Sequence, residues 1–232
     1  MLTQPSRGLF VTGTDTEVGK TYVARLIARA LVASGHKTGV YKPAASGCLV
    51  GDHELLADDA VLLWEAAGKP GRLEDVCPQR FAAPLAPPLA ARAEGKQLDA
   101  ELLRTGLAAW ADYDVVVVEG SGGLMTPLSD EDYNATLAEE FGYPLVIVAP
   151  NQLGVINQTL QTLITAASWG DGLAVAGIVL NSLVPPHKND PSRAGNLGEL
   201  ETRCVAPLLA EVPCHGDRFD REVDWWKLSE GS

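Results

Sequence analysis

Residues 10–31 read FVTGTDTEVGKTYVARLIARAL: an apolar run, a glycine-bearing turn and a helical pattern that opens at Lys20. A turn of this kind aims backbone N–H groups and a helix N-terminus at one point, where a polyphosphate can be held. Lys20 then reaches the outer phosphates and the Thr21 hydroxyl binds Mg2+. Gly13, Thr14, Asp15, Thr16, Glu17, Val18 and Gly19 form the cradle. Gly13 and Gly19 enclose five residues where the common phosphate loop has four. The longer loop carries Asp15 and Glu17, which repel a triphosphate unless they face metal, a substrate amine or solvent.

Outward from this unit, short β-branched runs alternate with longer segments of helical spacing. That order predicts an α/β fold, a mostly parallel central sheet with helices on both faces. Strands are expected at 8–12, 38–42, 114–119, 145–149, 174–181 and 208–212. The run VVVV at 115–118 lacks polar alternation and must be buried on both faces. Helices are expected at 20–34, 59–67, 98–111, 134–141, 155–169 and 198–204. APLAPPLAA at 83–91 and PPHKNDPS at 185–192 read as surface loops, because proline is excluded from helix interiors. No repeat or linker interrupts the pattern, so a single domain is expected over 1–232, with a core at about 7–213 and a C-terminal tail at 216–232.

With 46% hydrophobic residues, a chain of 232 can cover both faces of one sheet. The balance of 18 Lys+Arg against 30 Asp+Glu gives −12, which argues against a surface that neutralises nucleic-acid phosphates. No apolar run reaches the ~18 residues of a bilayer span, and MLTQPSRGLF lacks the basic-then-apolar order of a secretory signal. Neither a nucleic-acid nor a membrane partner is expected, and the location is expected to be cytoplasmic. Cys48, Cys77, Cys204 and Cys214 form no CxxC, and His36, His53, His187 and His215 form no HExxH pair. Reduced thiols and no transition metal follow.

In an open parallel sheet, ligands collect beyond the carboxyl ends of the strands. The second strand exits at YKPAASG, with Lys42, Ser46 and Gly47; opposite the phosphate loop, Lys42 is a candidate for chemistry rather than a solvated cation. The third exits at VVVVEGSGG, which sets Glu119 before Gly120, Gly122 and Gly123, where backbone can approach a ligand. An acid on a strand beside a phosphate loop holds Mg2+ directly or through water. ADDA at 57–60 offers a second acid, Asp58 or Asp59, although two acids at a helix start commonly just cap it. After the fourth strand, Gly154 and Asn157 open a helix whose N-terminus can bind an anion or merely begin the helix. Asn181 ends the fifth strand with a planar amide that matches the N6/N7 edge of adenine. No NKxD sequence occurs, so ATP is expected over GTP.

Taken together and in order, GTDTEVGKT, KPAASG, ADDA, VEGSGG, NQLGVINQ and GIVLNS resemble the dethiobiotin synthetases, ATP-dependent cyclo-ligases of biotin biosynthesis, over about 10–213. The same loop insertion is a feature of that family. The resemblance implies a P-loop NTPase fold and a homodimer. The implied reaction condenses 7,8-diaminononanoate (7,8-diaminopelargonate) with CO2 and ATP to give dethiobiotin, ADP and phosphate, through a carbamate and a carbamic-phosphoric mixed anhydride. It implies that Lys20 contacts the β- and γ-phosphates, that Thr21, Asp59 and Glu119 ligate Mg2+, and that Lys42 sits between carbamate and γ-phosphate. Thr16 and Ser46 resemble substrate-pocket hydroxyls, with Gly122 in the same pocket, and Glu17 lines the loop over the nucleotide. Asn181 would read adenine, helped by backbone near Val212 and Pro213. The diamine would lie across the dimer interface, its carboxylate received by Leu153, Gly154, Val155, Ile156 and Asn157 of the second subunit.

Some of the chain departs from that family. Ser121 stands where Ala is usual, and RFDREVDWWKLSEGS matches nothing, so Trp225 and Trp226 are expected to pack. Cys48 reads as a small buried thiol. Two rivals share the scaffold. Ligases of the cobyrinate diamide synthetase type normally carry a glutamine-hydrolysing domain, for which 232 residues leave no room. Partition-type switch ATPases carry a second Lys near the start of the loop, where this sequence has Thr12, Gly13, Thr14 and Asp15.

Overall fold

Val115, Val116, Val117 and Val118 are fully buried, as a strand covered on both faces requires. They lie in an interior strand, one in from the edge, of a six-stranded sheet in a computed structural model that describes residues 3–51, 55–185 and 192–231. The strands are β1 (Gly8–Gly13), β2 (Thr38–Tyr41), β3 (Val115–Gly123), β4 (Leu145–Pro150), β5 (Val175–Asn181) and β6 (Leu208–Val212). Their order is β6-β5-β4-β1-β3-β2 and every pairing is parallel. The longer helices are α1 (Lys20–Ala33), α2 (Asp58–Ala66), α3 (Pro87–Ala93), α4 (Asn134–Phe141), α5 (Val155–Ser168) and α6 (Ser192–Arg203).

This order fixes where ligands can go. From β1 the chain steps outward to β2 and back to β3, then crosses β1 to build β4, β5 and β6. The direction of winding therefore reverses at β1, and the loops after β1 and β3 diverge there to leave a crevice. The phosphate loop and the EGSGG turn occupy those two exits.

All six expected strands and the parallel α/β layout are observed, and the differences have physical causes. Strand β3 runs on to Gly123 because EGSGG stays alongside β1, pairing Gly13 with Gly123. The expected helix at 98–111 is instead a turn, a short α-helix (Leu102–Thr105) and a 3-10 segment (Gly106–Trp110). Asp99 Oδ1 accepts from the N–H groups of Glu101 and Leu102, which delays the start. The Tyr41 hydroxyl packs against this stretch and donates to the carbonyls of Leu102 and Leu103. The proline-rich stretch 83–91 is not wholly a surface loop: Pro87 and Pro88 open α3 and are buried. Proline is accepted in a first turn because the N–H it lacks would have no helical partner there. Helix α6 starts six residues before the expected 198, carrying Asn196 into the interior. Most of the 185–192 loop, with His187, and His53 lie outside the described residues.

The C-terminal segment folds back along β1. Arg7 bridges antiparallel to Glu230, and Gly8 donates its N–H to the Ser229 carbonyl at 3.0 Å. Trp225 is buried, while Trp226 stacks on His36 with ring centroids 3.8 Å apart and lies under the Arg7 guanidinium. Both tryptophans pack, as the sequence suggested.

Candidate active site

Helix α1 begins where Gly19 turns the chain at φ 88°. The Asn181 carboxamide presses against this glycine and leaves no room for a Cβ, so both backbone and space demand Gly. At Gly13 a Cβ would lie 2.6 Å from the Asp15 carbonyl oxygen. Loop 14–19 therefore closes tightly over the end of β1. Lys20 reaches back into it, its Nζ donating to the Asp15 carbonyl at 3.2 Å.

A cavity of about 630 Å3 opens beyond β1, β2 and β3. Residues singled out in the sequence line it: Thr16, Glu17, Gly19, Lys20, Thr21, Lys42, Ser46, Gly47, Asp59, Glu119, Ser121 and Gly122. Four parts of the chain far apart in sequence thus meet in one place. At its centre, Glu119 Oε1 accepts from the Thr21 hydroxyl and from Lys42 Nζ, both at 2.7 Å. Lys42 Nζ also lies 3.0 Å from Asp59 Oδ2. Asp59, not the exposed Asp58, is the acid of ADDA that enters the site.

The charges are poised in opposite senses. Burial works against the Lys42 ammonium, but Glu119 and Asp59 outweigh it and hold its pKa above the ordinary lysine range. Lys20 is pulled below that range, because burial and the nearby Lys42 charge exceed what the carboxylates return. Desolvation alone would raise Asp59, yet Lys42, the Thr21 hydroxyl and Lys20 bring it below the usual carboxylate value.

The donor set suits a hard divalent cation. Glu119 Oε2 is buried and has no hydrogen-bond partner, an orphaned carboxylate oxygen of the kind a cation would satisfy. With the Thr21 hydroxyl and the Asp59 carboxylate it offers oxygen ligands only, the preference of Mg2+ when phosphates and water complete its shell. Among the described residues no group of three or more His, Cys, Asp and Glu gathers.

Other anticipated residues stand apart. Gly13, Thr14, Asp15 and Val18 shape the loop behind the cavity. Asn181 donates from Nδ2 to the Val18 carbonyl at 3.0 Å, leaving its carboxamide oxygen for an amino donor. The Val212 carbonyl accepts from the Ser182 N–H, and that of Pro213, a residue with no N–H, accepts from Gly216. Leu153, Gly154, Val155, Ile156 and Asn157 do not line this cavity; Leu153 is 84% exposed and Gly154 and Asn157 are exposed. The sequence did not single out Pro84, Leu85, Ala86 and Pro87, which form an apolar wall of the cavity, or Thr126 and the buried Asn134 beneath the EGSGG turn. The wall comes from the stretch read as a surface loop, and no local pattern marks it.

A family model described as an AAA domain matches residues 7–217. An ATP-dependent dethiobiotin synthetase BioD from Rhodopirellula baltica is 43% identical over 215 residues, 88% of this chain and 82% of that one. The enzyme of the same name from Anaeromyxobacter dehalogenans strain 2CP-C is 44% identical over 212 residues, covering 91% and 92%. The chain belongs to the dethiobiotin synthetase family. Solved structures far less alike in sequence share the fold of this synthetase. A ParA family ATPase from Chlorobium tepidum has a TM-score of 0.55 at 16% identity, covering 92% of this chain and 86% of that one. The receptor FtsY from Elizabethkingia anophelis has 0.56 at 15%, with 98% of the synthetase matched to 65% of the receptor. Among the described residues of the synthetase, no helix is long and apolar enough to cross a membrane.

Proposed function

We propose that this ATP-dependent dethiobiotin synthetase closes the urea ring from 7,8-diaminopelargonate and CO2, using the cavity beyond β1, β2 and β3. One substrate amine adds to CO2 and loses a proton, giving a carbamate. A carbamate oxygen then takes the γ-phosphoryl group from ATP as ADP departs. The second amine attacks the carbonyl carbon of this mixed anhydride, the C–O bond to phosphate breaks, and the ring closes.

A carbamate and a triphosphate repel each other, so cations must offset their charge as they meet. The observation that carries this reading is the pair of buried lysines, Lys20 and Lys42, which are 7% and 4% exposed on one cavity with Lys42 anchored by Glu119 and Asp59. Lys20 and the loop backbone hold the β- and γ-phosphates. Lys42 lies between carbamate and γ-phosphate, while Thr16, Ser46 and the Gly122 backbone place the amines. Thr21, Asp59 and Glu119 hold Mg2+, which when bound supplies charge neutralisation at the β- and γ-phosphates. The free carboxamide oxygen of Asn181 favours the amino group of adenine over the keto oxygen of guanine.

The protein acts in the cytoplasm as a homodimer, with residues 153–157 of a second copy receiving the substrate carboxylate. Support comes from the exposure of Leu153, Gly154 and Asn157 at the start of α5, where a helix N-terminus favours an anion. The whole chain acts as one ATP-binding domain. Purified protein should release phosphate from ATP, and form dethiobiotin detectable by mass spectrometry, only when diaminopelargonate and bicarbonate are both supplied. ATP turnover indifferent to the diamine would overturn the assignment in favour of a switch ATPase.

A further inference from the structure

We propose that Asn134, which does not line the cavity, is a positioning residue for the ligase reaction: its buried carboxamide fixes the backbone of residues 120–123 and thereby aims Glu119 and Gly122 into the site. The inference rests on the proposed use of that cavity.

Asn134 is the first residue of α4 and has no exposed surface. A buried carboxamide is costly unless its polar atoms are paired, and here the pairing is entirely with the turn. Nδ2 donates to the carbonyls of Ser121 and Gly123 at 2.6 and 2.7 Å, and Oδ1 accepts from the Ser121 N–H at 3.2 Å. Gly120 is shaped to this partner, since a Cβ there would lie 2.6 Å from Asn134 Oδ1. In a trans peptide the C=O and N–H point opposite ways. Capture of the Ser121 carbonyl therefore turns the N–H of Gly122, at φ 70°, away from Asn134, and Gly122 lines the cavity. From the other side the Ser121 hydroxyl donates to the Ala44 carbonyl at 2.7 Å, tying the turn to the segment that follows Lys42. The residue that departs from the family pattern thus braces the same turn.

Diamine- and bicarbonate-dependent phosphate release by the unaltered protein is the first reading, since its absence would defeat the ligase assignment rather than this one. Given that activity, Asn134→Ala should lower kcat about tenfold to a hundredfold, as small misplacement of reacting groups does. KM for ATP should change by less than about threefold, because the phosphate loop is intact. The Mg2+ concentration for half-maximal ATP binding, read by calorimetry, should rise. Asn134→Asp keeps the shape but replaces two donations to carbonyls by repulsion, and should be no better than Ala. Gly120→Ala should reproduce the defect from the turn side, and in the double variant with Asn134→Ala its cost should shrink, because the clashing carboxamide is gone. Unchanged kcat per folded molecule, with only the melting temperature lowered, would overturn the proposal. Should Asn134→Ala fail to fold, the same readings on Asn134→Asp and Gly120→Ala decide it.

Discussion

Lys42 and Glu119 face each other at 2.7 Å with almost no exposure to water. Removing one member of such a pair leaves the other charge buried and uncompensated. Lys42→Ala should reduce dethiobiotin formation by about 10²-fold or more, the scale of losing one preorganised charge at a reacting centre. Calorimetry should still detect ATP binding, because Lys20 and the loop remain. The signs of the pKa shifts set the pH behaviour. Lys42 is raised, so its contribution to stability is complete below the ordinary lysine value of 10.5 and fades only as pH climbs through its higher folded value. Asp59 is lowered, so its contribution is present above 3.8 and is lost as pH falls through its lower folded value. Lys20 is lowered by burial, and bound polyphosphate would restore its charge. ATP binding should therefore take up protons in the window below 10.5 and weaken as pH rises through the Lys20 pKa. Calorimetry in buffers of differing ionisation enthalpy reads that uptake; no pH dependence there would argue against Lys20 at the phosphates.

Among the elements, the phosphate loop and α1 depend most on a single residue. Gly19 needs a left-handed backbone and an absent side chain, because the end of β5 presses Asn181 against it. Gly19→Ala should cost at least about 1–2 kcal/mol for the backbone alone. That corresponds to a fall of several degrees in melting temperature, at about 2–4 °C per kcal/mol for a domain of this size. A larger loss of ATP affinity should accompany it, since the loop and Asn181 move apart together. Differential scanning fluorimetry with and without ATP separates the two effects. At α3, sequence and structure parted: two prolines read as helix-excluding became a first turn because they fall at its start, and the first of them, Pro87, completes one wall of the cavity.

The whole molecule is closed by its last residues. Trp225 fills the space beside Phe219, and the strand-like bridge from Arg7 to Glu230 ties the C-terminus to the start of β1. Trp225→Ala should cost about 3–5 kcal/mol, the range for emptying a large buried aromatic site. Thermal melts should show the loss without a matching change in kcat measured well below the transition. ATP at a hundred times its dissociation constant should return about 2.7 kcal/mol by mass action. Sedimentation of the free protein should give a dimer, and a strict monomer that still formed dethiobiotin would contradict a shared pocket.

The parallel α/β layout, the phosphate loop and the candidacy of Lys42, Glu119 and Asn181 were legible in the sequence. Each rests on short-range patterning: unbroken β-branched runs, a glycine turn feeding a helix, and polar residues at strand ends. Residue type left Asp58 and Asp59 open and the family resemblance pointed to Asp59; in the tertiary structure it is the Asp59 carboxylate of α2 that reaches Lys42 across the site. Tertiary structure also sets Tyr41 against residues 102–106, where the expected helix is divided into shorter pieces. Asn134 was invisible for the same reason: its three hydrogen bonds go to a turn 11 to 13 positions earlier, and no spacing along one chain encodes that approach. Local periodicity specifies elements and their faces, whereas the partners of a buried polar group are chosen only when those elements pack.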